Sequence, residues 1–420
     1  MRWILILAGV VCLHTSGLAE PRVGDMKDLS LPAALSRVLQ DNPQLKAMDY
    51  AVEAAGRRVE QQQQTSPWRV GLQLENVVGS GVYSSSDRLE STLSLGKVLE
   101  LGNKPERRAE VAQLRSGVLR DQQSAQQLDI VAEASRRYLR ALTLQHRIAL
   151  IEETRQIREQ TLQSVVRRVD AGRSPTAERY RANIALERSA LQLQRLRKDR
   201  DIARLQLAGM WGDSTAAFGK LTGALYDLQP PESFETLKAR LQDNPHIVQF
   251  ATRQRLAEAR YRLAQSRRSL DLEMRGGVRH QRQTDDTALL FSFSLPLGSA
   301  SRAQPYIEEA RQLQQQQPYA AQQQRLELIA ALHEAYQEMR YAYQAMQRLQ
   351  QRIIPDAQRA LRDYRRGYEN GRYSLLELND AQQSLIDGQL QKIATAATYH
   401  RARVEIERLT GTAVQTGVSQ

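Results

Sequence analysis

Apolar and polar positions along this chain follow two different periods. In the first, Trp68, Val70, Leu72 and Leu74 alternate with Arg69, Gly71, Gln73 and Glu75, and Leu89, Leu93 and Leu95 alternate with Glu90, Thr92 and Ser94. The alternation returns with Leu270, Leu272, Met274 and Val278 set against Asp271, Glu273, Arg275 and Arg279. It returns again with Leu289, Phe291, Phe293 and Leu295 set against Leu290, Ser292 and Ser294. Side chains two apart share one face of a strand. The pattern predicts four amphipathic strands in two hairpin-like pairs, over about 68–79 and 87–96 and over about 269–281 and 286–296.

Everywhere else the period is helical. Ser30 to Gln40 reads as one helix, and Asn42-Pro43 opens a second that runs to Gln64, with asparagine as cap and proline at a first position that needs no N–H. From Lys104 to Ala171 no proline follows Pro105, and at about 1.5 Å per residue that helix is roughly 100 Å long. Its partner, Pro175 to Met210, covers little more than half the distance, and the Pro43–Gln64 helix has the length to complete it. Arg302 to Gly367 and Ser374 to Leu409 repeat the plan. Within them Leu332, Tyr336, Met339, Tyr343, Met346, Leu349 and Ile353 recur at steps of three and four, as in a coiled-coil seam, and Pro355 bends the far end.

The two periods occur twice because the chain is internally duplicated. Val169-Asp-Ala-Gly-Arg-Ser-Pro-Thr-Ala-Glu178 is matched by Tyr368-Glu-Asn-Gly-Arg-Tyr-Ser-Leu-Leu-Glu377, and Leu39-Gln-Asp-Asn-Pro-Gln-Leu45 by Leu241-Gln-Asp-Asn-Pro-His-Ile247. The expected organisation is a signal peptide over 1–19, a first repeat over 20–212 hinged at 171–174, and a linker over 213–231. A second repeat over 232–411 hinged at 367–374 and a flexible tail over 412–420 follow. Strands of about 9 to 11 residues cross a hydrocarbon layer when tilted, but lipid admits only closed barrels of about eight strands or more. Four strands therefore form either a soluble sheet or a share of a barrel pooled by several chains. Three chains would supply twelve.

Composition narrows the picture. Aromatic content is 5% while Gln, Arg, Ala and Leu dominate, which suits long helices better than a large globular core. The balance of 59 Lys+Arg against 47 Asp+Glu gives +12, but the arginines are scattered along helices among Glu and Gln, so no nucleic-acid partner is expected. Arg2, the apolar run from Trp3 to Leu13 and the small-residue site Gly17-Leu18-Ala19 form the signal peptide. Cys12, the only cysteine, lies inside it, and Val11 before it argues against a lipid anchor. His146, His246, His280, His333 and His400 have no metal-ligand spacing and read as surface residues. No nucleophile triad, phosphate loop or dinucleotide fingerprint is present, so no enzymatic activity, no cofactor and no bound metal are expected.

The leader, the paired Leu-Gln-Asp-Asn-Pro phrases, the strand pairs, the two hinges as far as Gln382 and the closing Leu409-Thr-Gly411 stand in an order that resembles the TolC-type outer membrane efflux family. Leu95-Gly-Lys-Val-Leu-Glu-Leu-Gly-Asn-Lys-Pro-Glu-Arg107 is similar to the segment of its CzcC-like members, which serve heavy-metal pumps of the RND type. This chain has Gly102-Asn103-Lys104-Pro105 where Gly-Gly-Lys-Arg is common. The resemblance implies a mostly helical, internally duplicated chain that forms a homotrimer, with a twelve-stranded β-barrel in outer-membrane lipid and a twelve-helix tunnel in the periplasm. It implies passive export from an inner-membrane RND pump through a periplasmic adaptor protein, with heavy-metal cations as first choice of cargo. A multidrug or type I secretion duct is the alternative within the class. A soluble periplasmic coiled-coil scaffold is the alternative outside it.

Carried over by position from Gly371, the resemblance places a gate ring at Glu377 and Asp380, and a tip latch between Tyr368 and Glu178. The latch arginine of the family is replaced here by Tyr373, next to Arg372. The adaptor-contacting hinges are Gly172, Arg173 and Ser174 with Gly371, Arg372 and Tyr373. Residue chemistry offers plainer roles beside these. Ser374 and Glu377 have the spacing of a capping box, Glu178 sits in a first helical turn where any acid is favoured, and both glycines suit helix C-termini.

Overall fold

A computed structural model describes residues 27–411. The expected signal peptide over 1–19, with Cys12, and the expected tail over 412–420 lie outside the described residues. A short strand β1 (Leu29–Ser30) leads into α1 (Leu31–Asp41) and α2 (Pro43–Gln63). Then come β2 (Arg69–Glu75), β3 (Glu90–Glu100), the long α3 (Lys104–Asp170) and α4 (Thr176–Ala208). The second half holds β4 (Leu221–Thr222), α5 (Phe234–Arg240), α6 (Pro245–Ser266), β5 (Asp271–Gln281) and β6 (Asp286–Ser294). It closes with α7 (Ser299–Arg348), α8 (Ile354–Glu369) and α9 (Leu375–Leu409).

The four alternating stretches form one antiparallel sheet in the order β2-β3-β5-β6, so the two hairpins join through β3 and β5. Register puts like with like. Leu72, Leu93, Val278 and Leu289 form one row across the sheet, and Val70, Leu95, Gly276 and Phe291 the next. That face is uncovered: Val70 is 73% exposed, Leu289 71% and Phe291 75%. On the opposite face Arg279 reaches Glu75 and Glu90, each at 3.1 Å, and donates from Nε to the Thr92 hydroxyl at 3.1 Å. Strand ends differ from the sequence pattern. β2 stops at Glu75 rather than 79 because Asn76 turns to φ +59, and β3 continues to Glu100 because Val98, Leu99 and Glu100 pair with Glu273, Leu272 and Asp271.

Helix α3 is the spine of the fold and packs against α2, α4, α6 and α9. The two Asn-Pro phrases build equivalent joints along it. Asn42 accepts from the N–H groups of Gln44 and Leu45 at 2.9 and 3.1 Å, capping α2, while its amide donates to the Met210 carbonyl just past α4 at 2.7 Å. Asn244 caps α6 through His246 N–H at 2.7 Å and donates to the Arg408 and Leu409 carbonyls at 3.0 and 2.7 Å. One side chain thus satisfies the start of one helix and the end of another. Two short helices are joined end to end in each half.

The 213–231 stretch is packed. Leu221 and Thr222 pair in parallel with Leu29 and Ser30, Phe218, Leu221 and Leu225 are buried, and Tyr138 donates to the Leu29 carbonyl at 2.8 Å. Burial pushes the Tyr138 phenol up to about 12. His146 and His400 belong to the same region and are not simple surface residues. His146 meets the Tyr226 ring edge-on, and His400 Nε2 lies 3.0 Å from the Leu225 carbonyl.

The seam of α7 holds through Leu332, Met339, Met346 and Leu349, all buried, and fails at Ile353, which is 47% exposed while Ile354 is 7%. A π-helical turn over Leu349–Ile353 inserts an extra residue there, with the Ile354 N–H bonded back to the Leu349 carbonyl. No described helix is long and apolar enough to cross a membrane.

Candidate functional site

Both hinges are built on a left-handed glycine. Gly172 at φ +68 and Gly371 at φ +73 let the chain reverse after α3 and α8. The closing bonds correspond: Gly172 N–H to Val169 at 2.9 Å and Arg173 N–H to Arg168 at 2.8 Å, against Gly371 N–H to Tyr368 at 3.1 Å and Arg372 N–H to Gly367 at 2.7 Å. Arg173, Arg372 and Tyr373 are exposed at these turns.

The next helices start differently. Ser374 and Glu377 form a capping box: Glu377 Oε2 accepts from the Ser374 N–H at 2.8 Å and from its hydroxyl at 2.9 Å. These bonds, backbone first, hold the Glu377 carboxyl below its ordinary value. In the first hinge Pro175 stands at the cap and makes no side-chain bond.

Tyr368 and Glu178 are brought together. The Tyr368 hydroxyl donates to Glu178 Oε2 at 3.2 Å, and the ring, 3% exposed, is buried with Val165, Ala182, Leu361, Leu375, Leu378 and Ala381. Burial, followed by the Glu178 charge, pushes the phenol above its ordinary value, so it remains a donor.

Arg168 completes the contact. Its guanidinium donates to the carbonyls of Tyr368 and Glu369 at 2.7 and 3.3 Å and to the Ser174 hydroxyl at 3.2 Å, and lies 4.7 Å from the Tyr368 ring centroid. Sequence reasoning missed this residue. The repeat carries no copy of it, since Arg168 aligns with Gly367 and Ser174 with Tyr373. In the second hinge the Tyr373 ring lies tilted against Tyr364, centroids 4.7 Å apart, and fills the space over Gly367, where any Cβ would overlap it. One copy has an arginine bridge and the other an aromatic plug.

Glu377 and Asp380 do not join this cluster. Glu377 is engaged with its own helix cap, and exposed Asp380 lies on a groove beside Arg158, Arg181 and Arg188. Among the described residues no group of three or more His, Cys, Asp or Glu side chains is placed to hold a metal ion.

A profile of the family described as "Outer membrane efflux protein" matches residues 34–213 and 236–412. The cobalt-zinc-cadmium resistance protein CzcC of Cupriavidus metallidurans is 24% identical over 323 residues, covering 76% of this chain and 77% of its own length. A membrane protein of Pseudomonas aeruginosa superposes with a TM-score of 0.77 at 18% identity, over 92% of this chain and 91% of that one. The outer membrane protein VceC of Vibrio cholerae superposes with 0.74 at 15%, over 91% and 96%.

Proposed function

The chain belongs to the outer membrane efflux protein family, and on that premise we propose that three copies pool their sheets into one twelve-stranded barrel that serves as a passive exit duct. Its place is the outer membrane, from which the protein extends into the periplasm, and the family is one of channels rather than enzymes. The observation that carries the proposal is the uncovered apolar face between two unpaired edges. β2 and β6 each have a neighbour on one side only, while Val70, Leu72, Leu289, Phe291 and Phe293 stand exposed. In lipid such edges must close, each unpaired backbone group there costing several kcal/mol, and about eight strands are the least that do so. Three copies of four give twelve, and the exposed Tyr180 and Leu191 of α4 and Tyr319 and Tyr341 of α7 are available to neighbouring protomers.

The polar face with Arg279, Glu75 and Glu90 then lines the barrel, and the helices form the periplasmic tunnel. Six hinges lie at its tip, where Tyr368, Glu178 and Arg168 hold the resting state shut and Glu377 and Asp380 ring the axis. The periplasmic adaptor meets the hinges, and an RND pump in the inner membrane supplies the energy. The similarity to CzcC supports heavy-metal cations as cargo. Light scattering of the detergent-solubilised protein tests the assembly. A trimer whose electrophoretic mobility changes on heating is expected, and a stable monomer would overturn the proposal.

A further inference from the structure

Two open basins lie along the same flank of the helical bundle, floored by α3 and walled by α4 and α9. The first, of ≈ 690 Å³, is lined by Arg158, Arg181 and Arg188 with Asp380, Gln382 and Gln383. The second, of ≈ 550 Å³, is lined by Arg140, Arg147 and Arg401 with Thr143, Thr398 and Asp199. Helical periodicity puts them on one face. Arg147 and Arg158 are eleven residues apart on α3, as are Ala394 and Gln383 on α9, which is about three turns and roughly 16 Å. Gln192 and Asp199 on α4 stand seven apart, close to two turns.

These arginines are short of carboxylates. Among the described residues none of the six forms an ion pair. Arg158 donates to the Ala185 carbonyl at 2.8 Å and to Gln383 at 3.2 Å, Arg140 to the Gln206 side chain at 3.1 Å, and Arg401 to the Thr398 hydroxyl at 3.0 Å. Arg147 Nε is buried without a partner. One acid reaches each basin, and Asp199 is already shared with Arg195 and Lys198 at 3.9 and 3.7 Å. Arg136, at the edge of the second basin, differs because Glu133 and Glu405 pair with it at 3.1 and 3.3 Å. Burial, and then the Arg188 charge, hold the Arg158 guanidinium below its ordinary value. Each basin therefore gathers like charges around a space of small-solute size, the arrangement that binds oxyanions.

We infer that the two basins bind small multivalent oxyanions, one basin above the other on the tunnel wall. Their lumenal position rests on the duct reading, through Asp380, which shares the wall of the first basin. In that position a cargo would pass two basic stations, and a metal cation would travel most readily as an anionic complex.

Calorimetric titration of the detergent-solubilised protein with sodium tripolyphosphate tests the basins, with sodium chloride at matched ionic strength as control. Saturable binding of two anions per chain that weakens with added salt is expected, falling to one per chain in R181Q/R188Q and to one per chain in R140Q/R401Q. These four side chains are exposed, so the substitutions spare the packed core, and retained heat-modifiable migration checks the fold. No saturable binding by the wild type, or an undiminished number of bound anions in both variants, would overturn the inference. Tripolyphosphate is then added to the protein in planar bilayers. Block of the current in wild type but not in R140Q/R181Q/R188Q/R401Q supports the lumenal position, whereas binding in micelles without block removes it. Failure to form channels at all would count against the duct and leave the micelle result standing.

Discussion

At the scale of single residues, the tip contact is asymmetric between two copies of one turn. Tyr368 and Glu178 follow from the repeat and the family resemblance, because both positions can be counted from a hinge glycine. Arg168 does not, since its partners are backbone carbonyls some 200 positions later in the chain, at Tyr368 and Glu369. No local pattern encodes that choice. A hydroxyl-to-carboxylate bond contributes about 1.5–3 kcal/mol and a guanidinium over an aromatic ring about 0.5–2 kcal/mol. Replacing Tyr368 with Phe keeps the buried ring and the cation–π contact and removes the hydroxyl with its bond to Glu178. Arg168→Gln removes the bridge to the second hinge. Each is expected to raise single-channel conductance in planar bilayers, with Arg168→Gln the larger effect because it releases more bonds. Unchanged conductance in both would show that these residues brace the tip without closing it.

At the scale of elements, the helices and the sheet were legible because their periods run long and differ, and the misses fall where one residue breaks the period. The π turn at Leu349–Ile353 is such a place: it exchanges exposed Ile353 for buried Ile354, and Pro355, lacking an N–H, follows directly. The Asn-Pro joints were legible by half. A cap is readable from Asn before Pro, but the second job of the amide depends on which helix end lies beyond it, a tertiary fact. Asn244 is fully buried and donates to two carbonyls, whereas Asn42 donates to one. Loss of a cap costs about 1 kcal/mol, and each buried group left unpaired about 1–3 kcal/mol. Asn244→Ala is expected to destabilise the protein by about 3–7 kcal/mol and Asn42→Ala by about 2–4 kcal/mol. Thermal melts followed by helical circular dichroism should rank them in that order, and a wild-type melt for Asn244→Ala would show that the joint is dispensable.

At the scale of the whole molecule, the duplication explains why two hinges lie at one end. Both halves lay their helices along the same spine, since α3 contacts α4 from its own half and α6 and α9 from the other. The sheet likewise needs both halves, because β3 pairs with β5. What one chain cannot reveal is closure: the sequence patterns give four strands and leave their partners open, since edge pairing uses backbone groups that carry no sequence signal. In the proposed duct, the end opposite the sheet is where a periplasmic partner would reach the tunnel without meeting lipid. There Arg173 and Arg372 stand exposed on the two turns, next to glycines with open space around them. The described residues contain no cysteine, and the only one in the sequence is Cys12, so a thiol introduced at either arginine acts as a unique probe. Cysteine at position 173 or 372 is expected to form a disulfide with a cysteine placed at the tip of the cognate adaptor in intact cells. Crosslinking confined to positions in or beside the sheet, such as Lys97 or Ser269, would place the adaptor at the wrong end and remove the hinges from its interface.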